Sequence, residues 1–379
     1  MNFKKDLPLT SSHWGTYRAK VKDGKIKELI GWENDKDPSP IGQGIIDVHN
    51  HQTRIDSPMI RKSWMDKGPG SNNSLRGTDP FISISWDEAE KIVSNELNRV
   101  KNDFGNASIF GGSYGWASAG RFHHAQSQLH RFLNCIGGYT RSKFTYSFAA
   151  AEAMVPHILG SYRAYLDTCT SWESIEESTE LFICFGGVPL KNGQIAQGGT
   201  GSHKQKEKLI RSANAGIKFV NFSPLKSDLL DEVNGEWLAL RPNTDVAIML
   251  GLAHTLYKEK LYDDKFIEKY TEGFDTFLPY LQGDIDGIVK DANWASSISE
   301  IPSEKIISLA KEMSSKRTMI SVSWSLTRQD HGEQPFWAAI MLASMVGQIG
   351  LPGGGFGFGY SATNHIGGQF SIIPGAAFP

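Results

Sequence analysis

The feature that most constrains this chain lies in its second half, where continuous apolar runs alternate with amphipathic stretches. Leu181-Phe-Ile-Cys-Phe185 is a five-residue apolar run closed by Gly186-Gly187, and Ile217 to Phe222 and Thr318 to Trp324 read the same way. Between them lie helical patterns: a basic amphipathic one over Lys204 to Ala213 and one capped by Thr244 through Ile248, Met249, Leu252 and Leu256. Another starts at Pro302-Ser303, and a last one opens at Pro335 and ends at Gly350. Short apolar strands alternating with helices predict a parallel sheet with helices on its faces. Ligands of such sheets bind beyond the carboxyl ends of the strands. The loops expected there are polar or glycine-rich: Ser113 to Ser118, Gly186 to Asn192, Asn221 to Lys226 and Ser325 to Gln334. None is a GxGxxG or a Walker A, which disfavours a simple dinucleotide or nucleoside-triphosphate site.

The first half differs. Thr16-Tyr-Arg-Ala-Lys-Val21 alternates and Asp23-Gly24 offers a two-residue hairpin turn, so residues 1–60 read as a β-rich segment. Ser85-Trp-Asp-Glu88 is a capping box opening a helix, with Ala89, Ile92, Val93, Leu97 and Val100 on one face and Gly105 as its stop. Ala107 to Gly111 reads as a buried strand, and a further helix turns Phe122, Ala125, Leu129, Phe132 and Leu133 inward. The expected division is a β-rich segment over 1–60, an α/β domain over 61–170 and a second α/β domain over 171–379.

Composition narrows the partners. With 39 basic and 41 acidic residues the formal charge is -2, so no basic face for nucleic acid is implied. Glycine is abundant, 39 of 379 residues against a usual share of about 7%, and clusters in short loops where a large flat ligand can approach the backbone. Cys135, Cys169 and Cys184 are too few and too scattered for a four-cysteine zinc site or an iron–sulfur cluster, and read as small buried hydrophobes. No run of 18 apolar residues and no apolar stretch behind the first lysines is present, so a cytoplasmic protein is expected, or a periplasmic one if the start is misassigned. One short motif points elsewhere. Asp47-Val-His49-Asn-His51 has the DxHxH pattern of zinc amidohydrolases, although no strand–helix unit follows it.

Several separated motifs, in order, resemble the molybdopterin oxidoreductases of the dimethyl sulfoxide, trimethylamine N-oxide and biotin sulfoxide reductase type. They are Leu9-Thr-Ser-Ser-His-Trp-Gly15, Thr53-Arg54 with Pro58-Met-Ile-Arg-Lys-Ser63, Gly112-Ser-Tyr-Gly-Trp116, Gly137-Gly-Tyr-Thr140 and Tyr146-Ser147. Met154-Val-Pro-His157, Arg241-Pro-Asn-Thr-Asp245, Gly332-Glu-Gln334 and Gly347-Gln-Ile-Gly-Leu-Pro-Gly-Gly-Gly355 complete the series. The resemblance implies a molybdenum bis(molybdopterin guanine dinucleotide) cofactor, without iron–sulfur cluster or haem, and a reductase that takes an oxygen atom from an S-oxide or N-oxide. Electrons would come from an external donor protein, and the full-length form would be monomeric. Ser147 matches the serine that ligates the metal, whereas read from the residues alone it is a cap for the helix starting at Ala149. Tyr114 and Trp116 match the pair that hydrogen-bonds the transferred oxygen, and the tyrosine tilts the substrate towards sulfoxides. Gly115, Ser118, Pro189, Lys191, Asn221, Pro242, Asp245, Trp324, Ser325 and Arg328 fall where the family contacts the dinucleotides.

Two departures follow from the same resemblance. Ser223 stands before Pro224, where relatives commonly carry an acidic residue, which puts one ribose or guanine contact in question. The chain also stops at Pro379, shortly after the glycine cluster, where family members continue into a second cofactor wall and a C-terminal barrel-like domain. The alternative for a chain of this extent is a non-catalytic module that binds a pterin dinucleotide.

Overall fold

A computed structural model describes residues 6–49, 51–112, 124–196 and 199–368. The chain opens with an antiparallel sheet of β1 (Leu9–Ser12), β2 (Gly15–Lys22) and β3 (Lys25–Gly31). The β2–β3 hairpin turns at Asp23 and Gly24, whose φ values of 53° and 69° are the left-handed pair that a tight hairpin needs. Tyr17, Ala19 and Leu29 make its small core. Two minor pairs follow. β4 (Met59–Arg61) runs antiparallel to β5 (Phe81–Ser83), and β6 (Phe110–Gly111) parallel to β7 (Thr140–Arg141).

The capping box forms as the sequence predicts: Ser85 accepts from the Glu88 N–H while Glu88 accepts from the Ser85 N–H, opening the helix Trp86–Phe104. Its apolar face is only half-covered among the described residues; no residue of the helix is buried, and Val93 is 56% exposed. The strand expected over 107–111 is corrected. Asn106–Ser108 is a 3-10 turn, the strand is two residues long, and Phe110 is 66% exposed, with β7 its only strand partner among the described residues. Within the helix Ala125–Cys135 only Leu133 is buried, and Phe132 is exposed. Cys135 is exposed too, unlike the buried Cys184.

The parallel sheet is built from β8 (Leu181–Phe185), β9 (Lys218–Phe222), β10 (Glu236–Leu238), β11 (Thr318–Val322) and β12 (Gly355–Phe358), in the order β10-β9-β8-β11-β12. Strands buried on both faces must be apolar throughout. Leu181 to Phe185 accordingly alternates between two cores: Ile183 and Phe185 meet the helices Asp245–Lys258, Ser303–Ser315 and Gln334–Val346, while Phe182 and Cys184 meet Trp172, Ile175 and Leu209. Burial pushes the Cys184 thiol well above the ordinary range, so it behaves as a small hydrophobe. β12 comes from the glycine cluster that reads only as a helix stop. Phe356 and Phe358 enter the core, and Gly357 lacks a side chain because the Tyr360 ring occupies that space. The chain starts at β8, runs outward to β10, then returns past β8 to β11 and β12. That reversal opens a crevice at the carboxyl ends of β8 and β11, the place where doubly wound sheets bind ligands. No helix among the described residues is long and apolar enough to cross a membrane.

Candidate cofactor site

The loops leaving the sheet press closely together. Gly186 and Gly187 both have left-handed φ, 79° and 74°. A Cβ on Gly187 would overlap the Asp228 carbonyl oxygen, and one on Gly186 would lie 2.9 Å from Ser323 Cβ. Glycine is therefore required here by both conformation and space. The turn is stitched to its neighbours: Gly186 N–H donates to Phe222 O at 2.8 Å, Ser323 N–H to Phe185 O at 2.9 Å and Val188 N–H to Asp228 O at 2.8 Å.

Over this floor lie buried polar groups without partners. Asn221, on β9, is fully buried, and neither its Oδ1 nor its Nδ2 makes a hydrogen bond. Asp245, the first residue of its helix, is 3% exposed with Oδ1 unpartnered. Burial pushes its carboxyl up to about 6, partly offset by its own N–H and by Gln329. Ser321 Oγ is also buried and unpartnered. Native interiors pair nearly all such groups, and each orphan costs about 1–3 kcal/mol. Asn221 and Asp245 sit at the end of β9 and at a helix start on the side of these loops, where a polar ligand would complete them.

Thr244 occupies the cap position, but its hydroxyl donates back to Arg241 O at 2.5 Å and leaves the helix start without a side-chain cap. The reason is its φ of -120° and ψ of 12°, outside the extended conformation that aims a cap hydroxyl at the first turn. Ser147 is no cap either. The cap residue of the helix Ala149–Met154 is Phe148, without a side-chain bond. Instead the Ser147 carbonyl is gripped from across the fold: Arg328 Nη1 donates to it at 2.9 Å and Thr327 Oγ1 at 3.2 Å. Phe148 stacks on Trp324, with ring centroids 4.2 Å apart. The segment after β11 thus fixes Ser147 against the sheet.

Ser325 Oγ donates to Ser323 Oγ at 2.9 Å inside that segment. Lys191 Nζ donates to Asp228 Oδ1 at 2.9 Å, Pro189 is buried just past the glycine pair, and Pro242 is exposed beyond β10. Tyr114, Gly115, Trp116 and Ser118 lie outside the described residues. Sequence reasoning missed Asp228 and Gln329. No motif marks either, and only the expectation of an acid near the end of the second strand could have pointed to Asp228.

The zinc reading of Asp47-Val-His49-Asn-His51 is corrected. Gly44–Val48 is helical, so the alternation that a DxHxH strand needs is absent. His49 Nδ1 faces Arg54 Nη1 at 3.0 Å, and no group of three metal-binding side chains occurs among the described residues.

A doubly wound parallel sheet, with a glycine turn and unsatisfied buried polar groups near its switch point, is the architecture in which α/β proteins hold ligands beyond the strand ends. The comparisons narrow the class. The molybdopterin oxidoreductase family matches residues 54–377, and its N-terminal domain matches residues 10–48. The chain belongs to the molybdopterin oxidoreductase family. It is 42% identical to a dimethyl sulfoxide/trimethylamine N-oxide reductase of Rhodobacter capsulatus, over 93% of this chain and 42% of that protein. It is likewise 42% identical to a biotin sulfoxide reductase of Cereibacter sphaeroides, over 89% of this chain and 46% of that one. A trimethylamine-N-oxide reductase of Haemophilus influenzae is 39% identical over 94% and 43%. The chain therefore spans less than half the length of these relatives. Among solved structures, acetylene hydratase from Pelobacter acetylenicus shares the fold, with a TM-score of 0.61 at 20% identity, covering 90% of this chain and 44% of that one.

Proposed function

We propose that this chain is the cofactor-holding portion of a molybdenum-dependent reductase that removes an oxygen atom from S-oxides and N-oxides. The reaction consumes two electrons and two protons and releases the sulfide or amine and water. A separate electron-carrying protein is the donor. The observation that carries the reading is the set of buried, unpartnered polar atoms on Asn221, Asp245 and Ser321. Relatives named for dimethyl sulfoxide, trimethylamine N-oxide and biotin sulfoxide support the substrate class.

The residues present suit a molybdenum bis(molybdopterin guanine dinucleotide). That group supplies the two-electron couple and the oxygen-accepting metal. Asp245 accepts N–H donors, as guanine offers, and Asn221 has both a donor and an acceptor to give. Pro189, Pro242, Lys191 and Ser325 line the same loops. Arg328 acts as a positioning residue: its grip on the Ser147 carbonyl holds Ser147, whose side-chain oxygen is a hard donor of the kind a high-valent metal takes. Tyr114 and Trp116 supply an O–H and an N–H to orient the substrate oxygen, and Gly115 and Ser118 contact the dinucleotides.

The test is to produce the chain in a molybdenum-replete host, alone and extended to the length of its relatives. Molybdenum, pterin and guanine per protein are measured, with sulfoxide and N-oxide reduction driven by a reduced dye. Molybdenum and guanine in the extended protein with turnover of either substrate is the expected result. A folded extended protein with neither would refute the reading. Cofactor without turnover would leave the non-catalytic binding module in its place.

A further inference from the structure

We infer that Asp228 is the carboxylate that reads the ribose hydroxyls of the bound guanosine nucleotide, in place of the strand-end acid this chain lacks at Ser223; this rests on the cofactor reading above. β9 is the second strand of the doubly wound sheet, and in such sheets an acid near the end of that strand accepts hydrogen bonds from a ribose. Here β9 ends in Phe222 and is followed by a fully buried serine. The fold brings a carboxylate to the same place from five residues further on. Ser223 Oγ donates to Asp228 Oδ2 at 2.7 Å.

The arrangement is held from every side. Ser223 N–H donates to Leu238 O at 3.3 Å, Trp237 Nε1 donates to Ser223 O at 2.8 Å, and Leu225 N–H donates to Ser223 Oγ at 3.3 Å. The Asp228 carbonyl accepts from Val188 N–H at 2.8 Å, directly over Gly187, where no side chain would fit. Lys191 Nζ, on the loop after β8, takes Asp228 Oδ1 at 2.9 Å. The carboxylate is thus fixed between the first and second strand ends, at the crevice. An ionised carboxylate has about four acceptor positions; the serine and the lysine fill two, which leaves two for a pair of vicinal hydroxyls. The Asp228 side chain is 13% exposed, so it is neither sealed in nor free in solvent.

A second observation points to a ligand at the same strand end. Asn221 lies two residues before Ser223, on the same side of the strand, fully buried with both amide atoms unpartnered. Lys191, 60% exposed, brings a positive charge to the same strand end.

The experiment compares binding of GMP, 2′-deoxy-GMP and 3′-deoxy-GMP to the cofactor-free chain, with Asp228→Asn and the double variant Ser223→Asp/Asp228→Asn. It also measures guanine released per chain from protein made in a molybdenum-replete host. The wild type is expected to prefer GMP over the deoxy forms by about tenfold or more, the scale of a hydrogen bond to a charged acceptor. Asp228→Asn should bring the three within about twofold of one another, with less guanine per chain, and the double variant should regain the preference. If the wild type binds GMP without discrimination, or Asp228→Asn keeps both discrimination and guanine content, the assignment is overturned while the cofactor reading stands. A folded wild-type chain that neither binds GMP nor carries guanine overturns the assignment, and a folded extended protein without guanine overturns the cofactor reading as well.

Discussion

Asp245→Asn tests whether the crevice is built for a ligand rather than for the stability of the protein. The carboxyl of Asp245 is 3% exposed with one oxygen unpartnered, and burial raises it from the ordinary 3.8 to about 6. The unfolded chain releases this proton near the ordinary value, whereas the folded protein holds it until about 6. Folded stability therefore falls as pH rises between those values, and above about 6 the full penalty applies. At about 1.4 kcal/mol per pKa unit the penalty is about 3 kcal/mol. An asparagine keeps the shape and carries no charge, so the cofactor-free variant should be more stable than the wild type by up to that amount at pH 8. At pH 4, where the native carboxyl is protonated, the two should be nearly equal. For a chain of this length, unfolding with about 2.1 cal/mol/K per residue, the thermal midpoint should rise by about 4 °C at pH 8 and stay unchanged at pH 4. The same variant should carry less guanine, because the amide replaces a carboxylate acceptor with a donor. A variant less stable than wild type at pH 8, or equally stabilised at both pH values, would refute the reasoning.

Other expectations follow from the same geometry. Ser147→Ala should leave the thermal midpoint within the equivalent of about 0.5 kcal/mol, because the serine caps no helix, while it removes molybdenum-dependent turnover in the extended protein; unchanged turnover and metal content would reject the ligand role. Gly187→Ala forces a Cβ onto the Asp228 carbonyl at a φ of 74°, and should cost about 2–4 kcal/mol from backbone strain and overpacking together, read as a fall in urea midpoint. Arg328→Ala removes the guanidinium from the Ser147 carbonyl; turnover should fall with substrate KM little changed, and Arg328→Lys should recover only part of it, since the planar donor geometry is lost. Ser85→Ala opens the capping box and should destabilise the helix Trp86–Phe104 by about 1 kcal/mol, visible as faster amide exchange in its first turn.

What the sequence determined by itself is local. The run Leu181 to Phe185 can be buried on both sides only as a central strand, Asp23-Gly24 suits a tight hairpin, and Ser85 with Glu88 writes a helix start within four residues. Each is decided by neighbours in the chain, so each is legible there. The ordered motifs from Leu9 to Gly355 carried the family in the same way, because side-chain types at fixed spacings need no folded context to be read. Tertiary structure decided the rest. β12 forms from a glycine cluster because β11 offers its edge and Tyr360 covers Gly357. The strand expected over 107–111 shrinks to two residues because among the described residues it pairs only with the two residues of β7, and Thr244 turns its hydroxyl back to Arg241. At the site, Arg328 meets Ser147 across 181 residues, and Asp228 brings its carboxylate to Ser223 by a turn no motif announces. Those contacts depend on strand order and on where loops cross. Strand order and loop crossings are set by the packing of the whole sheet, at distances along the chain that local preference does not reach.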